Sequence, residues 1–73
     1  MKKQELLKLG FVDTSYIEEG NNFTQFTFKS PGVTIEVSEN SCVEIKLNGM
    51  WSFVSNCKNI TDLRYLIKLF VET

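Results

Sequence analysis

The stretch Val33-Thr34-Ile35-Glu36-Val37-Ser38-Glu39-Asn40-Ser41-Cys42-Val43-Glu44-Ile45-Lys46-Leu47 decides the fold. Val33, Ile35 and Val37 alternate with Thr34 and Glu36, and after a polar break Val43, Ile45 and Leu47 alternate with Glu44 and Lys46. Such period-two patterning predicts strands with one buried face. A three-residue loop at Glu39-Asn40-Ser41 opposes Val37 to Val43 and Ile35 to Ile45. Directly opposed residues of an antiparallel pair share a face, so the two strands agree on one apolar side.

Working upstream, Phe23 to Lys29 reads as another strand, with Thr24, Phe26 and Phe28 on one face and Gln25 and Thr27 on the other. Ser30-Pro31-Gly32 predicts a tight turn, proline presetting one dihedral and glycine allowing the positive one. A two-residue Pro-Gly loop opposes Phe28 to Ile35 and Phe26 to Val37, which adds a third strand to the same face. Thr14 to Glu18 is the expected first strand, ended by Gly20-Asn21-Asn22.

Downstream, Asn48-Gly49 is a short hairpin signal and Met50 to Ser55 the last strand. Two registers are open there. A two-residue loop sends Met50 and Val54 to the core side and Trp51 and Phe53 away from it. A three-residue Leu47-Asn48-Gly49 loop opposes Trp51 to Ile45 and makes both aromatics core. Burying a Trp and a Phe is worth several kcal/mol, which favours the second register.

Both ends read as helices. Lys2 to Leu9 places Leu6 and Leu9 on one side, and Leu9-Gly10-Phe11 is its stop, with a left-handed glycine followed by an apolar residue that folds back. At about eight residues it needs a docking surface to be stable. The closing helix is capped by Asn59 or Thr61 and carries Leu63, Leu66, Ile67 and Phe70 on one face. Tyr65, Leu69 and Val71 widen that stripe, and their flank needs a second cover, from the first helix or from another subunit. The sequence therefore predicts a single α+β domain over residues 1–73: a short N-terminal helix, a four- to five-stranded antiparallel meander, and a C-terminal helix packed on one sheet face.

The 73 residues carry a net charge of −1, no histidine and two cysteines. A chain of this size buries only about 60% of its unfolded surface, and small domains commonly add a disulfide, a metal or a partner. Cys42 and Cys57 are too few for a closed zinc site, and a pair of thiols without a signal peptide reads as cytosolic cysteine, with a Cys42–Cys57 bridge the lesser alternative. Oligomerisation, as a homodimer, is the expected staple. Interspersed charges without a basic stripe argue against a nucleic-acid binder. No apolar run reaches the ~20 residues of a membrane span, so the expected location is the cytoplasm.

Catalysis is not expected: no histidine serves as base to a cysteine or serine, the glycines sit at element boundaries, and no cofactor motif is present. Candidate partner-binding residues remain. Glu36 and Glu44 stand opposite each other on the outer sheet face, with Glu39 nearby, as an acidic patch for a basic partner or as a solvated pair screened by Lys46. Phe23, Phe26, Phe28, Trp51 and Phe53 are either core or a base-stacking platform, and the absence of a basic surround favours core. Trp51-Ser52-Phe53-Val54-Ser55 has neither charge nor proline, the usual protections of a sheet edge. The Tyr65/Leu69 flank is the third candidate surface.

In length, in its Lys, Asn, Ile and Phe usage, and in the frame of Leu6-Leu7-Lys8-Leu9-Gly10-Phe11 and Leu66-Ile67-Lys68-Leu69-Phe70 around a small sheet, the chain resembles small accessory proteins of phages and other mobile elements. Anti-defence inhibitors, anti-CRISPR proteins among them, belong to that type. The resemblance implies a non-catalytic protein that binds and occludes a host protein in the host cytoplasm, a defence component among the candidates. A structural subunit of a homo-oligomer and a small single-stranded nucleic-acid or ligand binder are the alternatives. The last of these requires Trp51 and Phe53 outside, beside Lys46.

Overall fold

A computed structural model describes residues 1–71. Helix α1 (Lys3–Lys8) leads into strands β1 (Val12–Asp13), β2 (Tyr16–Glu18), β3 (Asn21–Phe23), β4 (Gln25–Ser30), β5 (Val33–Ser38), β6 (Cys42–Leu47) and β7 (Met50–Val54), and helix α2 (Ile60–Phe70) closes the chain. Five strands form one antiparallel sheet in the order β1-β4-β5-β6-β7, and β2 and β3 form a separate two-stranded ribbon. The fold is the expected α+β meander between two helices.

The central registers follow from the alternation. Phe26 pairs with Val37 and Phe28 with Ile35; Ile35 in turn pairs with Ile45 and Val37 with Val43. Pro31 and Gly32 alone span β4 and β5, with Gly32 at φ 78. Glu39–Ser41 forms a 3-10 turn into β6, released by Ser41 at φ 56. The inner face of these strands meets Leu6 and Phe11 on one side and Leu63 and Ile67 on the other. Ile35 and Leu63 are 0% exposed and mark the centre of the core.

The stop of α1 is a double-bonded left-handed cap. The Phe11 N–H donates to the Leu6 carbonyl at 3.1 Å and the Gly10 N–H to the Leu7 carbonyl at 3.1 Å. This is the paired pattern that a glycine after a helix permits. Gly10 sits at φ 103, and Phe11 is carried into the core, its ring 5.4 Å from that of Phe28. Asn59, of the two expected caps, starts α2: its Oδ1 accepts from the Asp62 N–H at 2.9 Å.

Three expectations are corrected. The segment Thr14–Glu18 is no continuous strand: the Ser15 N–H donates to Asp13 Oδ1 at 3.0 Å and Ser15 exchanges bonds with Gln25, so the chain turns between β1 and β2. Thr24 likewise leaves the ladder, its N–H donating to Glu39 Oε1 at 3.3 Å, and the β2–β3 ribbon peels away. That ribbon turns at Glu19-Gly20, both with positive φ, and not at Gly20-Asn21-Asn22. The second correction is the last hairpin. Leu47 pairs with Met50, and Asn48 and Gly49 sit at φ 52 and 83. These are the two positive φ values of a type I′ turn, the hairpin turn that Asn-Gly favours. Trp51 and Phe53 therefore lie outside the core. Third, Phe70 is exposed, not part of the buried face of α2.

Candidate binding surface

Strand β7 lies at the open end of the sheet, and alternate side chains reach both faces. Trp51 and Phe53 point to the outer face, opposite Lys46 and Glu44. Met50, Ser52 and Val54 point to the inner face, opposite Leu47, Ile45 and Val43. Only Val54 is half-buried; Met50 is 75% exposed and Ser52 is open, because the helical layer does not reach that end of the strand.

On the outer face a row runs Val12, Thr27, Glu36, Glu44, Phe53 across five strands. Glu36 and Glu44 are opposed, as expected, and both are half-buried. Gln25 Nε2 donates to Glu36 Oε1 at 3.3 Å, which satisfies one of the two carboxylates. The next row runs Lys29, Thr34, Lys46, Trp51, where the Lys46 ammonium sits 5.8 Å from the Trp51 ring centroid. That is within the range of a cation–π contact. Trp51 is 44% and Phe53 65% exposed, so the strand presents two aromatics to solvent between a cation and a carboxylate.

On the inner side, Tyr65 and Leu69 lie on the flank of α2 that faces β7. They rim a cleft of about 200 Å³ with Val54, Cys57 and Leu66. Helix α1 does not cover them; its Leu9 lines a different groove with Phe28, Ile67 and Val71. Tyr65 remains 65% exposed. The seven candidate residues thus divide: Glu36, Glu44, Trp51 and Phe53 share the outer face, while Val54, Tyr65 and Leu69 share the cleft. Strand β7 joins the two groups. Met50 belongs to the same surface and was not singled out by the sequence: the two-residue turn sends it to the inner face, and its exposure comes from the helical layer stopping short of it.

Cys42 and Cys57 are free thiols, and both line a cleft at the far end of the β6–β7 hairpin. Burial, and then the Asp62 carboxylate, push the Cys57 thiol above its ordinary value, which disfavours the thiolate. Among the described residues, no three His, Cys, Asp or Glu side chains come together as metal ligands. No helix there is long and apolar enough to cross a membrane. A second aromatic feature stands apart: Tyr16 and Phe23 stack at 5.1 Å on the β2–β3 ribbon, beside an exposed Ile17. No protein-family model, curated protein or solved structure matches the chain.

Proposed function

We propose that the protein is a non-catalytic protein–protein interaction module that accepts an extended strand on β7. The observation that carries this reading is the placement of Trp51 and Phe53 outside the core, on an edge strand without charge or proline. Strand addition draws affinity from backbone hydrogen bonds and specificity from alternate side chains. Here the free edge of β7 supplies the backbone groups, and the outer aromatics and the Val54–Tyr65–Leu69 cleft supply side-chain contacts on its two faces. Occlusion of a host protein, in the manner of the phage inhibitors the sequence resembles, needs no more than such a surface.

The test is quantitative capture from a cell extract with wild type, Phe53→Pro and, as a remote surface control, Lys8→Gln. A protein retained by wild type and Lys8→Gln and lost from Phe53→Pro is expected, whether that protein is another species or untagged copies of this chain. Equal retention by all three overturns the reading.

The position of Trp51 beside Lys46 favours a second reading, a binder of single-stranded nucleic acid through stacking. Against it stand Glu36 and Glu44 in the adjoining row, which repel phosphate. Titration of Trp51 fluorescence with oligonucleotides separates the two. Salt-sensitive quenching would support the nucleic-acid binder, and unchanged emission would remove it.

A further inference from the structure

We propose that the occupant of the β7 edge is β7 of a second copy of this chain, paired antiparallel about a two-fold axis through Ser52. The proposal rests on reading β7 as a binding edge and adds the identity of the partner.

Backbone direction comes first. In a two-residue turn the Met50 N–H bonds the Leu47 carbonyl. Because bonding direction alternates along a strand, Ser52 and Val54 also bond toward β6, and Trp51 and Phe53 present their N–H and C=O groups to the free edge. These are the only residues inside the five-residue strand that do so.

Side-chain pattern comes second. Met50-Trp51-Ser52-Phe53-Val54 is symmetric in kind about Ser52, with aromatics one residue away and aliphatics two residues away on either side. Self-pairing about Ser52 opposes Trp51 to the partner's Phe53, and Phe53 to the partner's Trp51. Both are hydrogen-bonded pairs, so four backbone bonds cross the junction and two aromatic pairs cover its outer face. On the inner face Met50 meets the partner's Val54. Only Ser52 faces itself, at the closely spaced non-hydrogen-bonded position where a small side chain fits. Axes through Trp51 or Phe53 are poorer, since they oppose an aromatic to Gly49 or to Ser55.

Charge follows the same register. Lys46 adjoins Trp51 and Glu44 adjoins Phe53 in their rows. Each aromatic pair across the junction is thereby flanked by Lys46 on one side and the partner's Glu44 on the other. A two-fold axis normal to the sheet also keeps both helical layers on one side, so the Tyr65/Leu69 flanks turn toward each other over the junction. Met50, Trp51, Phe53, Tyr65 and Leu69 are all exposed large side chains, so the surface that would meet the partner is apolar on both faces of the strand.

Register-specific cross-linking tests this directly. Non-hydrogen-bonded pairs hold Cα atoms about 4.5 Å apart, within disulfide reach. Ser52→Cys should form a 52–52 linked dimer, mapped by mass spectrometry. Met50→Cys lies about 13 Å from its symmetry mate and should couple slower by roughly tenfold or more. Sedimentation equilibrium under reducing conditions should give a monomer–dimer equilibrium for wild type. Phe53→Pro removes an outward N–H without touching the ladder to β6 and should be a folded monomer, with Phe53→Lys as the second variant. A wild type that stays monomeric at every concentration, or Met50→Cys coupling as fast as Ser52→Cys, overturns the proposal. If the same monomer still captures a different protein in a Phe53→Pro-sensitive way, the interaction-module reading survives and only the second copy falls.

Discussion

Lys46 and Trp51 face each other across the β6–β7 hairpin, with the ammonium 5.8 Å from the ring centroid, on the side of the sheet away from both helices. The contact exists only in the register set by a two-residue Asn48-Gly49 loop. At low protein concentration Trp51 emission should therefore be that of a partly solvent-exposed indole, open to quenching by acrylamide. Lys46→Met should change the emission while leaving the circular dichroism spectrum unaltered. Blue-shifted, quencher-resistant emission from dilute protein would contradict the register.

The core and the β7 surface should respond oppositely to truncation. Ile35→Ala removes a fully buried side chain at the sheet centre and should cost about 2–5 kcal/mol by urea denaturation. Met50→Ala, at a site 75% exposed, should stay within about 0.5 kcal/mol in dilute monomer.

Gly10 is constrained twice. Its φ of 103 is a conformation side chains rarely adopt, and an added Cβ would lie 3.3 Å from Phe28 Cε2. Gly10→Ala should destabilise by about 1–3 kcal/mol, since the strain cannot relax without opening the turn that seats Phe11. Thermal or urea unfolding measures this, and an unchanged midpoint would remove the structural role assigned to the turn.

Glu44 is opposed to Glu36, and of these two carboxylates it is Glu36 that accepts from Gln25 Nε2. Glu44→Gln should stabilise by about 0.2–1 kcal/mol by relieving a like-charge pair. The gain should shrink as salt is added, because partly exposed charges are screened.

Asp13 makes the stability of the fold depend on pH in the acid range. The Ser15 hydroxyl and its N–H, and then the Lys3 ammonium at 3.5 Å, hold the carboxyl below its ordinary value. A carboxyl lowered on folding contributes stability above its unfolded pKa and loses it as pH falls through the lower folded value. A carbon-detected titration should find the Asp13 midpoint below that of an unstructured aspartate, and Ser15→Ala should move it back up.

The parts of the fold visible in the sequence are those where local chemistry and burial agree. Leu9-Gly10-Phe11 reads as a helix stop because glycine conformation and the burial of Phe11 require the same turn. The β4–β6 registers follow from Phe26, Ile35, Val37, Val43 and Ile45 falling on one face through two independent loops. Asn48-Gly49 is where the two criteria conflict. Burial of Trp51 and Phe53 favours a longer loop, whereas two successive left-handed residues suit a two-residue turn. Turn chemistry prevails because the inner side of β7 near Met50 and Ser52 has no helix above it, so turning the aromatics inward would bury little. The break at Thr14–Ser15 depends on side-chain bonds from Asp13 and Gln25, and hydrophobic periodicity carries no trace of those. The candidate surface was legible as an edge strand and a wide helix stripe, but their meeting in one cleft is a property of the tertiary fold.

The two ends of the five-stranded sheet are unequal. At one end β7 is open along its length. At the other, β1 is two residues long, ends in Asp13 tied to Lys3, and gives way to a ribbon that turns out of the plane. Open-ended filaments grow when each added subunit exposes a fresh edge like the one just consumed. Two copies paired through β7 each use up that edge, so strand addition at β7 terminates in a finite complex.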